Sequence, residues 1–349
     1  MKKIRVLVVD DSAFARKVLR QVLSRSPAID VVGTAHDGLD ALERIMDLKP
    51  DVITLDLVMP NLDGIGLLHA LKKLEGVPVP RVIVVSMSDA QGDLAISALR
   101  EGAVDLVQKP TSLANDRLYD LAEELTRKVE AAAIARVPST LPSRDERPRV
   151  VESLPAVASG LRHELVVVGA STGGPQAVAT LLEALPGDFP LPIAVVVHIP
   201  PGFSQSLAEH LDRDCQLTVA EASDGLLLEP GMAVVARAGM HLAFGRTPDG
   251  YCARVGSLPA GHLHRPALDV TLQSAADVCA GRVLGVVLTG MGDDGLIGAR
   301  VVHEKGGTLL TQTEASSVVY GMPRVVWEAG LAAAQADIQD MPALLLRYL

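Results

Sequence analysis

Aromatic residues are scarce in this chain of 349 residues: four Phe, four Tyr and one Trp, 3% in all. A surface that stacks successive bases needs more than that. Positive charge is also short. Against 42 Asp and Glu stand 32 Lys and Arg, leaving a net charge of −10, so neither nucleic acid nor an anionic membrane surface is an expected partner. The three cysteines, Cys215, Cys252 and Cys279, are odd in number, scattered and without metal-ligand spacing. Reduced structural thiols in a cytoplasmic protein are the expected state. No apolar run approaches the ~18 residues of a membrane span. Met1-Lys2-Lys3-Ile4-Arg5 runs straight into a short apolar strand carrying Asp10 and Asp11, which excludes a signal peptide from the reading and leaves no membrane insertion to expect. An internal repeat is likewise missing.

Hydrophobic residues at 48% and charged residues at 21% describe a globular chain, and its length suffices for two domains with ordinary cores. Over residues 1–125 apolar runs (Ile4–Val9, Val31–Ala35, Val52–Leu55, Val82–Val85, Ala103–Val107) alternate with helical patterns such as Phe14, Val18 and Val22. Continuous Val/Ile/Leu runs with helices between them predict a doubly wound parallel sheet covered on both faces, with working residues at the strands' carboxyl ends. Residues 126–162 lose the pattern and gain Pro138, Pro142, Pro148 and Pro155. The segment starts helically at Glu130 and then reads as a semi-rigid interdomain linker. A second α/β unit, residues 163–349, is expected from the runs Leu165–Val168, Ile193–Val197, Met232–Val235, Val283–Leu288 and Thr308–Thr311, again as a mainly parallel, doubly wound sheet.

In the first domain Asp10 and Asp11 end one strand, Asp56 and Ser86 end two others, and Lys109-Pro110 follow a fourth. Such ends converge in a doubly wound sheet. Crowded carboxylates call for a divalent cation, and oxygen ligands with retained waters suit Mg²⁺. Together with a lysine ammonium the cation stabilises charge on a phosphoryl group in transfer. The stretches VVDDS (8–12), DLVMPNLDG (56–64), VSM (85–87) and KP (109–110) make this domain resemble the response-regulator receiver family. The resemblance implies a five-stranded flavodoxin-like fold, Asp56 as phospho-acceptor, a histidine kinase as phosphodonor, and Mg²⁺ held by Asp10, Asp11 and Asp56. It implies Ser86 as switch hydroxyl and Lys109 as phosphoryl contact. Where many receivers carry an aromatic residue three places before the lysine, this chain has Leu106.

In the second domain the run Leu165–Val168 breaks into Gly169-Ala170-Ser171-Thr172-Gly173-Gly174, and Pro175 opens a helical pattern over 176–185. A serine between small residues at a strand-to-helix turn has an exposed hydroxyl with backbone N–H groups nearby. That suits an acyl-transfer nucleophile and equally a phosphate cradle. His198, directly after Ile193–Val197, is the best-placed base. The turn Thr289-Gly290-Met291-Gly292-Asp293-Asp294-Gly295 after another strand offers two candidate acids, either of which is also suited to cap the helix that follows. Gly169-x-Ser171-x-Gly173 matches the nucleophile elbow of α/β-hydrolases, but the order serine, histidine, acid differs from theirs. The spacing excludes a P-loop and a dinucleotide fingerprint. His262 and His264 near Asp269 lack the third ligand a metal site needs.

VVVGASTGGP (166–175), HIP (198–200), HRPALDV (264–270), LTGMGDDG (288–295) and EASSVVYGMP (314–323) make this domain resemble the catalytic domain of the chemotaxis protein-glutamate methylesterase family. The resemblance implies a serine hydrolase needing no cofactor for its ester chemistry, with the triad Ser171, His198 and Asp294. Oxyanion contacts fall on Thr172 and Met291, mainly through backbone N–H. The implied substrates are γ-glutamyl methyl esters on chemoreceptors, with glutamine deamidation left as an open second reaction. It also implies that the unphosphorylated receiver blocks the active-site face and that phosphorylation relieves the block. Val197, Ile199 and Ala236-Arg237-Ala238-Gly239 depart from the family's usual residues, which touches substrate-edge contacts and not the triad. A competing reading is a response regulator whose output domain only binds, the Ser171 turn holding a phosphate or sugar.

Overall fold

A computed structural model describes residues 2–74, 76–86, 88–109, 115–135 and 161–349. Met87, Pro110 and most of the expected linker, 136–160, lie outside these. The chain divides into two compact units, Met1–Ala135 and Arg136–Leu349.

The first unit alternates β1 (Ile4–Val9), α1 (Ala13–Leu23), β2 (Ile29–Ala35), α2 (Gly38–Leu48), β3 (Val52–Leu55), α3 (Gly64–Leu71), β4 (Arg81–Ser86), α4 (Ser88–Arg100), β5 (Asp105–Gln108) and α5 (Asn115–Ile134). Its sheet is wholly parallel in the order β2-β1-β3-β4-β5, the flavodoxin-like arrangement. Val6, Leu7, Val8, Ile53, Leu55, Ile83, Val84, Leu106 and Val107 are fully buried in it, as uninterrupted apolar strands require. Side chains of Ser12, Asp37 and Asp63 cap α1, α2 and α3, each accepting from a backbone N–H of the first turn. α5 runs past the expected boundary at 125. Leu121, Leu125, Val129 and Ala132 recur at helical spacing and are buried, so residues 126–134 belong to this unit rather than to the linker. Lys128 adds a polar tie, its Nζ 2.9 Å from Asp105 Oδ1 and donating to Leu106 O at 2.7 Å.

The second unit contains, in order, β6 (Leu165–Ala170), α6 (Gly174–Glu183), β7 (Ile193–Val197), α7 (Ser204–Asp214), β8 (Thr218–Glu221), β9 (Leu227–Leu228), β10 (Met232–Val235), β11 (His241–Thr247) and β12 (Gly250–Gly256). Then follow α8 (Leu268–Val278), β13 (Val283–Val287), α9 (Leu296–Glu304), β14 (Thr308–Gln312), α10 (Met322–Glu328), β15 (Ala334–Ala336) and α11 (Met341–Arg347). Seven strands form a parallel sheet in the order β15-β14-β13-β6-β7-β10-β8, and β11, β12 and β9 form a small antiparallel sheet of their own. The apolar runs named from the sequence are the central strands. The edge strands β8 and β15 are short and only partly buried, too weakly apolar to announce themselves. Because the chain enters at β6 and winds outward to both sides, the crevice beside β6 is the topological switch point, where such sheets bind ligands.

Candidate active site and acidic pocket

At the carboxyl end of the first sheet, ligand oxygens of Asp10, Asp11 and Asp56 all lie within 4.8 Å of one another. Asp10 and Asp56 are buried and Asp11 is exposed. The Lys109 ammonium bridges the buried pair, 2.7 Å from Asp10 Oδ2 and 2.8 Å from Asp56 Oδ2. Burial raises the Asp56 carboxyl above the ordinary range against the pull of Lys109, because removing it from water disfavours its charge. Burial also works against the lysine's charge, but the two carboxylates outweigh it and hold its pKa above the usual value. Arg16, from α1, donates to the carbonyls of Asp10 and Asp11 at 2.7 and 2.9 Å and so fixes the loop that presents them. Ser86 is fully buried at the end of β4, and its carbonyl accepts from Lys109 N at 2.8 Å. Leu106 is buried. Hard carboxylate donors, one of them open to solvent, fit a divalent cation that keeps several waters.

At the carboxyl end of the second sheet, Ser171 follows β6 and His198 follows β7. The register pairs Ala170 with Val197, and His198 N donates to Ala170 O at 3.1 Å, so the two residues are lateral neighbours on adjacent strands. β13 flanks β6 on the other side, and the turn beyond it brings Asp294 to the same place. His198 Nε2 donates to Asp294 Oδ2 at 2.8 Å. The same oxygen accepts from Leu268 N at 2.7 Å, and Oδ1 accepts from Asp269 N at 3.0 Å. Burial alone pushes the Asp294 carboxyl up, but His198 and these two N–H groups outweigh it and hold its pKa at about 2. An ionised acceptor on Nε2 puts the neutral ring's proton there, leaving the lone pair on Nδ1. Nδ1 is buried and makes no hydrogen bond among the described residues. The structure thus joins His198 to Asp294 and sets Ser171 beside them, without a hydrogen bond from Ser171 to the ring; apo sites commonly tighten such contacts only when substrate binds.

The CheB methylesterase family model matches residues 166–345, and the response regulator receiver domain model matches residues 6–122. The chain is 53% identical over 347 residues to protein-glutamate methylesterase/protein-glutamine glutaminase 5 of Myxococcus xanthus, covering 99% of this chain and 98% of that protein. The chain belongs to the CheB methylesterase family. A Thermotoga maritima relative named protein-glutamate methylesterase/protein-glutamine glutaminase is 41% identical, with 98% of each chain covered. The crystal structure of the Thermotoga maritima CheB methylesterase catalytic domain superposes with a TM-score of 0.52 at 38% identity, covering 54% of this chain and 99% of that one.

In this methylesterase-family domain Asp294 does not cap the helix it precedes. The N-cap of α9 is Gly295, and the carboxylate of Asp294 turns to the start of α8 instead. Asp293 is exposed. Thr172 is buried in the turn beneath Ser171, and Met291 N–H has no partner among the described residues. The Ser171 N–H is already committed to Thr289 O at 3.0 Å. Gly290 permits this approach: a Cβ there would lie 2.8 Å from Ser171 Cβ and 2.4 Å from Met322 Sδ. Sequence reasoning passed over Thr289 and Gln312. Gln312 Oε1 accepts from Thr289 N at 2.7 Å and Thr289 Oγ1 donates to Thr172 O at 2.9 Å, pinning the Ser171 turn to its neighbour. It also passed over the true surroundings of His264, which stacks on the His198 ring with centroids 4.0 Å apart, while His262 meets His241 edge-on. Among the described residues neither belongs to a group able to hold a metal ion.

Proposed function

We propose that this enzyme hydrolyses γ-glutamyl methyl esters on chemoreceptors at Ser171, under control of phosphorylation at Asp56. The observation that carries the reading is the ionised Asp294 bonded to His198 Nε2, which leaves Nδ1 of this lateral neighbour of Ser171 buried and unbonded among the described residues. His198 Nδ1 takes the Ser171 proton as Oγ attacks the ester carbonyl. Backbone N–H groups of Thr172 and Met291 hold the oxyanion, an interaction worth about 3–4 kcal/mol per donor in hydrolases of this kind. The C–O bond to methanol breaks as His198 returns the proton to the leaving oxygen. Water, deprotonated by the same nitrogen, then cleaves the glutamyl-serine ester, leaving a receptor carboxylate and free Ser171. Asp294 holds the ring in the tautomer required and stabilises the imidazolium. A side-chain amide is attacked by the same groups with ammonia as leaving group, so deamidation of receptor glutamines is consistent with the site.

In the first unit, Asp56 takes a phosphoryl group from a phosphohistidine of a kinase: the P–N bond breaks and a P–O bond to the carboxylate forms. Asp56 offers its carboxylate as the acceptor, held beside Asp10 by the Lys109 ammonium. Asp10, Asp11 and Asp56 would hold Mg²⁺, which offsets charge on the phosphoryl oxygens when bound. Lys109 moves from its two carboxylates onto the phosphoryl group, and the buried Ser86 hydroxyl responds to it. Phosphorylation then favours a form in which the first unit no longer restrains the esterase, to the extent that it stabilises that form over the other.

Methanol release from methylated receptor, measured with and without a small phosphodonor, tests both halves. Ser171→Ala should remove the activity by about 10⁴–10⁶-fold, and Asp56→Ala should remove the response to phosphodonor. Undiminished release from the serine variant would instead favour the binding-only reading, which also predicts no labelling of Ser171 by a fluorophosphonate.

A further inference from the structure

Two helices beside the active site start without caps of their own. The N-cap of α8 is Ala267 and that of α9 is Gly295, and neither has a side-chain hydrogen bond to its helix. A helix start leaves four N–H groups without intrahelical partners, and burying them unpaired is costly. Here each helix is capped by an aspartate of the other. Asp294, just before α9, accepts from Leu268 N and Asp269 N of α8 at 2.7 and 3.0 Å. Asp269, in the first turn of α8, accepts at Oδ1 from Gly295 N and Gly298 N of α9 at 3.0 and 2.7 Å. The helices can meet this closely because residue 298 is glycine: a Cβ there would lie 2.9 Å from Asp269 O and 2.7 Å from Leu272 Cβ. Asp269 is 6% exposed, so water does not substitute for it.

We propose that Asp269 is a positioning residue for the esterase: its carboxylate ties the start of α9 to α8 and so fixes where the Asp294 carboxylate stands against His198. The arrangement is reciprocal. Releasing Asp269 from Gly295 and Gly298 frees the turn that carries both Asp294 and the Met291 N–H. Asp294 then keeps its acceptor oxygens but loses the frame that aims them, and His198 loses its orientation. The part Asp269 plays is that of an oxygen acceptor at a set place and does not require its charge. This rests on the esterase reading given above.

The test uses the full chain and compares wild type, Asp269→Ala, Asp269→Asn and Ser171→Ala. The readouts are kcat and KM for methanol release, the rate of Ser171 labelling by a fluorophosphonate, and the unfolding midpoint. Displacing a catalytic group by about 1 Å costs on the order of 100-fold. Asp269→Ala should therefore lose about 10- to 100-fold in kcat and in labelling rate, with KM within about twofold. Asp269→Asn, which keeps the accepting oxygen, should recover most of the loss. If Asp269→Ala does not fold, Asp269→Ser, with a shorter acceptor, takes its place and should fall between the other two. An unchanged kcat in the alanine or serine variant overturns the proposal. So does an asparagine variant as slow as alanine, or a rise in KM at constant kcat. Equal labelling of wild type and Ser171→Ala overturns the esterase reading itself, and this proposal with it.

Discussion

Two carboxylates, Asp56 and Asp294, stand at the carboxyl ends of two parallel sheets in one chain, yet their surroundings drive them in opposite directions. Asp56 is buried with one flexible cation, shared with Asp10, and its pKa rises. Asp294 is half-buried with one histidine and two backbone N–H groups of a helix start, and its pKa falls to about 2. A lysine can leave; a helix cannot. The first arrangement leaves a carboxylate whose single cation is shared with a neighbour, which suits the proposed phospho-acceptor. The second freezes a charge in place, which suits a group that orients a base and never reacts. The capping of helices repeats the contrast. In the first unit α1, α2 and α3 are capped by residues that directly precede them, whereas α8 and α9 depend on each other across the site.

The contrast can be broken most sharply at Asp294. Asp294→Asn keeps an acceptor for only one of the two α8 N–H groups and favours the wrong ring tautomer. It should cost about 10⁴-fold in kcat of methanol release, while phosphorylation at Asp56, followed with a radiolabelled phosphodonor, continues. In the first unit the cation is the weak point. Lys109→Ala leaves two buried carboxylates uncompensated and should lower stability by about 3 kcal/mol without divalent cations. Denaturant titration with added Mg²⁺ should restore part of that loss, since the cation takes over the neutralisation.

Acid sharpens the same comparison. The folded-state pKa of Asp294 lies below its ordinary value of 3.8, so its contribution is fully present above about pH 4 and is lost as pH falls through about 2. That contribution is on the order of 2 kcal/mol. It should appear as a difference between wild-type and Asp294→Asn unfolding curves that closes towards pH 2. The smallest effect is steric. Gly290→Ala forces a Cβ against Ser171 and should slow methanol release by about tenfold, with the unfolding midpoint showing how far Met322 yields.

Much of the site was legible because strand ends are legible. Ile193–Val197 is an unbroken apolar run, and the residue after it had to lie at the sheet's carboxyl edge; the same reasoning placed Ser171, Asp10 and Asp56. Helix ends were less so. The weakening of the apolar pattern after 125 hid the last turns of α5, where alanines at 131 and 132 are buried yet bury little area each. Asp269 stands in the HRPALDV stretch and near His262 and His264, but nothing local marks it as the cap of another helix, since a single aspartate in a helix's first turn is commonplace. Its partners, Gly295 and Gly298, lie in a helix reached only through β13.

The chain's sequence by itself determined two α/β units, their central strands, and which residues stand at the strand ends, because burial on both faces of a parallel sheet demands continuous apolar runs. Only the tertiary structure decided which nitrogen of His198 meets Asp294, which of the two neighbouring acids turns inward, and which helix each aspartate caps. Those outcomes are hydrogen bonds between segments far apart in the chain. They depend on distances of a few ångströms that no local pattern of residues encodes.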